Sequence, residues 1–138
     1  MSELKFENID VGDNLPALTK PAVSRTTLAL FAGASNDHNP IHIDIDVAKA
    51  AGMDDVFAQG MLSMAYLCQL LTNWVAQDQI RSYGVRFGAI THLKDKVTCT
   101  GRVIDKFTED GENRIRVSLQ AANQGADVKL RGEAVIAF

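Results

Sequence analysis

The sequence is poor in the features that would mark an unusual class of protein. It has only two cysteines, Cys68 and Cys99, far apart and in no CxxC pair. That argues against a disulfide framework and for a reducing, cytoplasmic setting. It has no cluster of one charge sign: 14 basic and 17 acidic residues are interspersed, for a net charge of −3. Without a basic stripe there is no electrostatic footprint for nucleic acid, and an anionic ligand would need a local basic contact. It has no long hydrophobic run. The most apolar stretch, Met61 to Leu71, is interrupted by Ser63 and Gln69. It is too short to span a bilayer and reads as a buried helix, so no membrane role is expected. The opening residues, Met1-Ser2-Glu3-Leu4-Lys5-Phe6-Glu7, lack a basic region followed by an apolar one and read as no signal peptide. No internal repeat and no low-complexity segment is visible.

What is there is an ordinary globular composition. The 138 residues are 46% hydrophobic and 22% charged, enough for one domain, residues 1–138, with a core of its own. Val11-Gly12-Asp13 and Leu15-Pro16 make the first residues a turn-rich lead-in. Ser24 is a good cap for a helix from Arg25 to about Ala34, and Asn36 to Pro40 breaks it. A short helix is expected near Asp46 to Ala51, capped by Asp46 and ended by Gly52. After a loop from Met53 to Gln59, Gly60 to Val75 reads as a long helix, apolar on most sides and therefore buried. From Tyr83 onward the pattern changes to alternation: Tyr83 to Phe87, Lys96 to Val103, Arg114 to Ala121 and Asp127 to Phe138. Asp110-Gly111 and Gln124-Gly125 supply hairpin turns. The pattern predicts an α+β domain in which an antiparallel meander of about four strands, with a strand or two from the first half, curls around the buried helix.

The stretch rich in chemistry is Ala34-Ser35-Asn36-Asp37-His38-Asn39-Pro40-Ile41-His42-Ile43-Asp44. A proline and several Asx side chains stiffen this turn. Asp37 and His42, five residues apart across the proline, can converge on one small site. An imidazole titrates near neutrality and serves as acid or base, and a carboxylate beside it can orient a water or take its proton. The second element is Ala58-Gln59-Gly60-Met61, at the start of the apolar helix. The first N–H groups of a helix lack intrahelical partners and lie at its positive end. The Gly60 N–H could therefore bind a carbonyl oxygen as negative charge develops there.

Asp37-x-Asn39-Pro40-x-His42, followed eighteen residues later by Gly60-Met61, resembles the MaoC-like dehydratases and (R)-specific enoyl-CoA hydratases. The resemblance extends to Tyr83-Gly84-Val85-Arg86-Phe87 and to Gly132-Glu133-Ala134. It implies a hot-dog fold, an antiparallel sheet wrapped around a long central helix, in a dimer whose sheets join edge to edge. It implies reversible syn hydration of a trans-2-enoyl thioester, carried by CoA or an acyl carrier, to the (R)-3-hydroxyacyl thioester. Asp37 and His42 then form the catalytic pair and Gly60 supplies the oxyanion-hole amide. Asn39, Gln59, Met61, Cys68 and Arg86 are candidates for contacting the substrate, and no metal or redox cofactor is expected. The sequence departs from the family where Gln59 replaces a common histidine and Cys68 a common serine. Those changes leave room for a heteromer in place of a homodimer.

Other readings are open to these residues. A turn built on Asx hydrogen bonds would also produce the Asp37 to His42 pattern. His38, His42, Asp44 and Asp46 could ligate a metal, although their spacing matches no zinc signature. His38 reads as a surface or pocket-lining residue, and His92, in a strand or turn, as structural or exposed. The methionines, leucines and Trp74 of the apolar helix read as core rather than as an acyl tunnel. The run from Asp105 to Glu112 reads as a solvated hairpin end. Two rival functions remain, an acyl-CoA thioesterase and a non-catalytic partner subunit. The first commonly uses an acidic residue on the central helix, and none lies between Gly60 and Ala76. The second typically lacks the Asp/His pair. For the anionic CoA nucleotide, Arg86, Lys94 and Lys96 are the candidate basic contacts.

Overall fold

Ser24 starts the first helix as its chemistry predicts. Its hydroxyl accepts the Thr27 N–H, and the Thr27 hydroxyl accepts the Ser24 N–H. This reciprocal cap fixes the start of α1 (Arg25–Ser35). The helix stops at Asn36, whose φ of 61° lies in the left-handed region, which asparagine tolerates better than most residues. The computed structural model describes residues 4–138, so Met1, Ser2 and Glu3 of the lead-in lie outside the described residues. Within the lead-in, Leu18–Thr19 forms a two-residue strand, β1.

The second helix, α2 (Ile45–Ala50), corrects its expected cap. Asp44 rather than Asp46 performs that task, its Oδ1 accepting the Asp46 N–H at 2.9 Å. Asp46 stands in the first turn, where a carboxylate meets the positive end of the helix. Gly52 then turns the chain with a φ of 88°, a conformation that suits glycine.

The central helix, α3 (Gly60–Thr72), separates two apolar clusters. Leu67, Leu70 and Leu71 pack against the sheet with Val97, Val103, Ile115, Val117, Leu130 and Ile136. Leu62, and the half-buried Tyr66, reach the other cluster, formed with Val23, Leu28, Ala48, Val56 and Ala58. The helix is not buried on all sides. Met61, Ala65 and Gln69, at four-residue spacing, form an exposed strip. A sheet on one flank and a small helical layer on the other leave that strip uncovered, which the apolar pattern alone did not convey.

Four long strands follow: β2 (Ile80–Phe87), β3 (Thr98–Glu109), β4 (Glu112–Ala122) and β5 (Val128–Ala137). The five-stranded sheet has the order β1-β3-β4-β5-β2, with every neighbouring pair antiparallel. β3, β4 and β5 form the expected meander. Asp110 and Gly111 both have positive φ at the first hairpin, the geometry that matches strand twist in a tight turn. β2 departs from the expected order. It pairs with β5 instead of β3, so its inward Tyr83 and Val85 extend the core beyond β5. Residues 88–97 carry the chain back across to β3, and this crossing segment becomes one wall of the site described next.

Candidate active site

The turn after α1 is held by its own polar side chains. The Asn39 N–H donates to Asp37 Oδ1 at 3.3 Å, and Asn39 Oδ1 accepts the Ile41 N–H at 3.2 Å. Pro40 opens a single tight helical turn, Pro40–His42, which carries His42 inward. The His42 ring is buried, at 9% exposure, and meets the Phe57 ring edge-on at 5.1 Å. Its Nδ1 lies 2.7 Å from the Phe57 carbonyl oxygen. A carbonyl can only accept, so Nδ1 carries the hydrogen, and in the neutral ring Nε2 holds the free lone pair. That nitrogen faces Asp37 Oδ2 at 4.0 Å. The gap is too long for a direct hydrogen bond. Both atoms therefore keep bonding capacity for a third group between or beside them.

His42 opens onto a cavity of about 400 Å³ lined by Phe57, Ala58, Gly60, Ser63, residues 87–91 and Leu130. Gly60 begins α3 there, and its N–H has no hydrogen-bond partner among the described residues. A side chain at this position would crowd the Phe87 ring, since a Cβ would stand 3.1 Å from its Cε1. Glycine therefore lets an aromatic ring lie over the helix start. One turn further along, Ser63 Oγ meets Thr91 Oγ1 at 2.8 Å, both residues being buried. The cavity thus combines an imidazole with a free nitrogen, a helix-start amide and apolar walls.

A profile of the MaoC like domain matches residues 10–124. The chain belongs to the MaoC-like domain family. It is 29% identical over 133 residues to the (R)-specific enoyl-CoA hydratase of Rhodospirillum rubrum, covering 95% of this chain and 89% of that one. It is 32% identical over 94 residues to the 3-oxo-4,17-pregnadiene-20-carboxyl-CoA hydratase beta subunit of Mycobacterium tuberculosis, covering 67% and 72%. Among solved structures, the unliganded R-hydratase of Pseudomonas aeruginosa superposes with a TM-score of 0.83 at 25% identity, over 96% of this chain and 84% of that one. The α+β architecture, a curled antiparallel sheet with a long helix against it, is the hot-dog fold.

Within this MaoC-like domain the expected site residues separate into two groups. His42 and Gly60 line the cavity, and Asp37 stands beside His42, 4.0 Å from its Nε2. The substrate-contact candidates do not. Arg86 projects from the opposite side of β2, beside Arg131 on β5, and lines a separate groove with Arg102. Strand alternation sends Arg86 away from the face that Phe87 shares with α3. Met61 is 52% exposed on the uncovered strip. Cys68 lies half-buried two turns along α3, where burial raises its thiol pKa. Gln59 is fully buried, and its amide donates to the Leu28 carbonyl at 3.1 Å, leaving Oε1 without a partner among the described residues. Asn39 is occupied as a local cap.

His38 is exposed, and no three of the described His, Cys, Asp and Glu side chains converge as a metal set. Lys94 and Lys96 are exposed at the end of the crossing segment. The hairpin end from Asp105 to Glu112 is not merely solvated: Glu112 bonds Arg81 and Arg114, which hold its carboxyl down at about 2. Sequence reasoning missed Ser63 and Thr91. Ser63 stands one helical turn after Gly60 and so shares its face, a signal that was readable. Thr91 lies 28 residues from Ser63 and gave none.

Proposed function

We propose that this MaoC-like domain is an (R)-specific enoyl thioester hydratase, a hydro-lyase acting on trans-2-enoyl-CoA or the equivalent acyl-carrier thioester. The observation that carries this reading is the unspent Nε2 of His42, which faces Asp37 Oδ2 beside a cavity that His42 and Gly60 line. A water held between the carboxylate and the imidazole adds its oxygen to the β-carbon. One of the pair takes a proton from that water, and a proton is delivered to the α-carbon from the same side, so the sum is syn addition of water across the double bond. The thioester oxygen becomes negative as the β-carbon is attacked, and a helix-start N–H stabilises it there. The two relatives agree with this reading, one an enoyl-CoA hydratase and the other a subunit of a CoA-thioester hydratase. The outer edge of β2 has no partner strand among the described residues. That agrees with pairing to a second copy or to a related subunit. No helix of the described residues is long and apolar enough to cross a membrane.

The test is loss of enoyl absorbance when purified protein meets crotonyl-CoA and trans-2-octenoyl-CoA, with Asp37→Asn and His42→Ala alongside. The wild type is expected to hydrate at least one, and each variant to lose about a hundredfold or more, as general acid–base groups do. A wild type inert on both, alone and with a candidate partner subunit, would overturn the reading.

A further inference from the structure

Lys129 is the largest side chain among the fully buried residues, at 1% exposure, and the proposed chemistry does not use it. Its ammonium donates to the Ile90 carbonyl at 2.8 Å and to Asp127 Oδ2 at 2.5 Å, and lies 3.4 Å from Asp95 Oδ2. Asp95 is itself fixed, accepting the His92 N–H at 2.9 Å and the Asn123 amide at 3.1 Å. The backbone of Lys129 acts on the same segment: its carbonyl accepts the Gly88 N–H at 2.8 Å and the Ala89 N–H at 3.3 Å. One residue thus bonds three consecutive residues, Gly88, Ala89 and Ile90, and all three line the His42 cavity. Thr91, the next residue, is tied to the opposite side, its carbonyl accepting the Ala58 N–H at 2.9 Å. The wall is therefore stretched between Lys129 on the sheet and the start of α3.

A buried ammonium is unfavourable unless its hydrogens are taken, and stability alone does not call for one, since apolar residues in place of both members of a buried ion pair often cost nothing. What the cation supplies, and a methionine would not, is a fixed position for the Ile90 carbonyl. Ala89 and Ile90 line the cavity together with Phe87 and Leu130, so the position of that carbonyl bears on the space they enclose. We propose that Lys129 is the positioning residue for this wall and thereby determines which acyl chains the cavity admits. The acyl part of this claim rests on the thioester reading above; the positioning part does not.

The experiment compares the full wild-type chain with Lys129→Met and Lys129→Arg. Amide hydrogen exchange is measured without ligand, and dissociation constants are measured for butyryl-, octanoyl- and dodecanoyl-CoA, which need no turnover. In the Met variant, protection at Gly88 and Ala89 is expected to fall about tenfold while the β3–β4 hairpin keeps its own, as a local opening requires. The ratio of octanoyl to butyryl affinity is expected to shift at least about fivefold, within what one or two methylenes are worth in a pocket. Arginine, which keeps a cation, is expected to restore part of both. Unchanged exchange, or equal weakening of all three acyl-CoAs, would overturn the proposal. If the Met variant does not fold, Asp127→Ala removes one acceptor of the ammonium from an exposed position and carries the same comparison. A wild type that binds none of the three overturns the acyl claim in the unsubstituted protein, and the exchange result then decides the positioning claim alone.

Discussion

Two buried nitrogen-bearing side chains flank one cavity, and they are finished to different degrees. The Lys129 ammonium finds a carbonyl and two carboxylates within 3.4 Å. His42 spends one ring nitrogen on the Phe57 carbonyl and keeps the other for a partner 4.0 Å away that it does not reach. Folding leaves few buried polar groups unmatched, because each costs free energy. Spare capacity beside a cavity therefore points to a group that arrives later, while saturation points to architecture. The difference predicts that substitutions at the two residues separate cleanly in what they harm.

The largest effect tests the unfinished side. If Asp37 and His42 hold one water jointly, removing either removes the same event. The double variant Asp37→Asn/His42→Ala is expected to fall no more than about tenfold below the worse single variant, each single having already lost about a hundredfold. Steady-state hydration of crotonyl-CoA measures this. Losses that multiply fully would mean that the two groups act at separate steps.

The next effect crosses the comparison. Lys129→Met strands the buried Asp95 carboxylate and is expected to cost about 3 kcal/mol of stability, the size of a broken buried pair. His42→Ala breaks one hydrogen bond and is expected to cost about 1 kcal/mol. Urea midpoints measure both. A Lys129 variant that stays fully stable yet loses rate as His42→Ala does would break the distinction.

How far these roles could be read from sequence depends on separation along the chain. Asp37, Asn39, Pro40 and His42 lie in one turn, and their local hydrogen bonds span two residues each. Their convergence was visible in the spacing. Lys129 stands between Val128 and Leu130 in an alternating strand, where an outward lysine is the ordinary case. It is buried because a segment 39 residues away lies against it, and no local pattern records that. Arg86 lies apart from the His42 cavity for the converse reason. Its charge suggested a phosphate contact, but strand alternation points it to the outer groove. The pairing of β2 with β5 in place of β3 is again a long-range choice. Helix bounds near Ser24 and Gly52 were local matters of capping and were legible.

A subtler effect sharpens the saturated side. Burial pushes the Asp95 carboxyl up, but the His92 N–H, the Asn123 amide and the Lys129 ammonium outweigh it and hold it below the ordinary carboxylate value. A carboxyl with a lowered folded pKa adds stability that is complete above its unfolded value, about pH 4, and is lost as pH falls through the folded one. Asp95→Asn is therefore expected to be less stable near neutrality and to lose stability less steeply in acid. Urea midpoints from about pH 6 to pH 3 measure the slopes, and parallel curves for wild type and variant would sink the assignment.

The smallest effect concerns the pair that sits between the two cases. Ser63 faces the cavity as His42 does, yet its hydroxyl is already bonded to Thr91. One bond between two hydroxyls leaves one O–H unspent, but if an existing partner marks architecture, Ser63 belongs with Lys129 despite its position. Ser63→Ala leaves the Thr91 hydroxyl buried without a partner, and Thr91→Val does the reverse. Each is expected to cost about 1 kcal/mol, with the double variant costing less than the sum because it strands neither group. Hydration rates are expected to stay within about threefold of wild type, far from the range of acid–base groups. A drop of about tenfold or more in kcat for Ser63→Ala, with stability barely changed, would show that the hydroxyl leaves Thr91 for the reacting atoms. Saturation in the ligand-free protein would then be a poor guide to which cavity side chains take part in the chemistry.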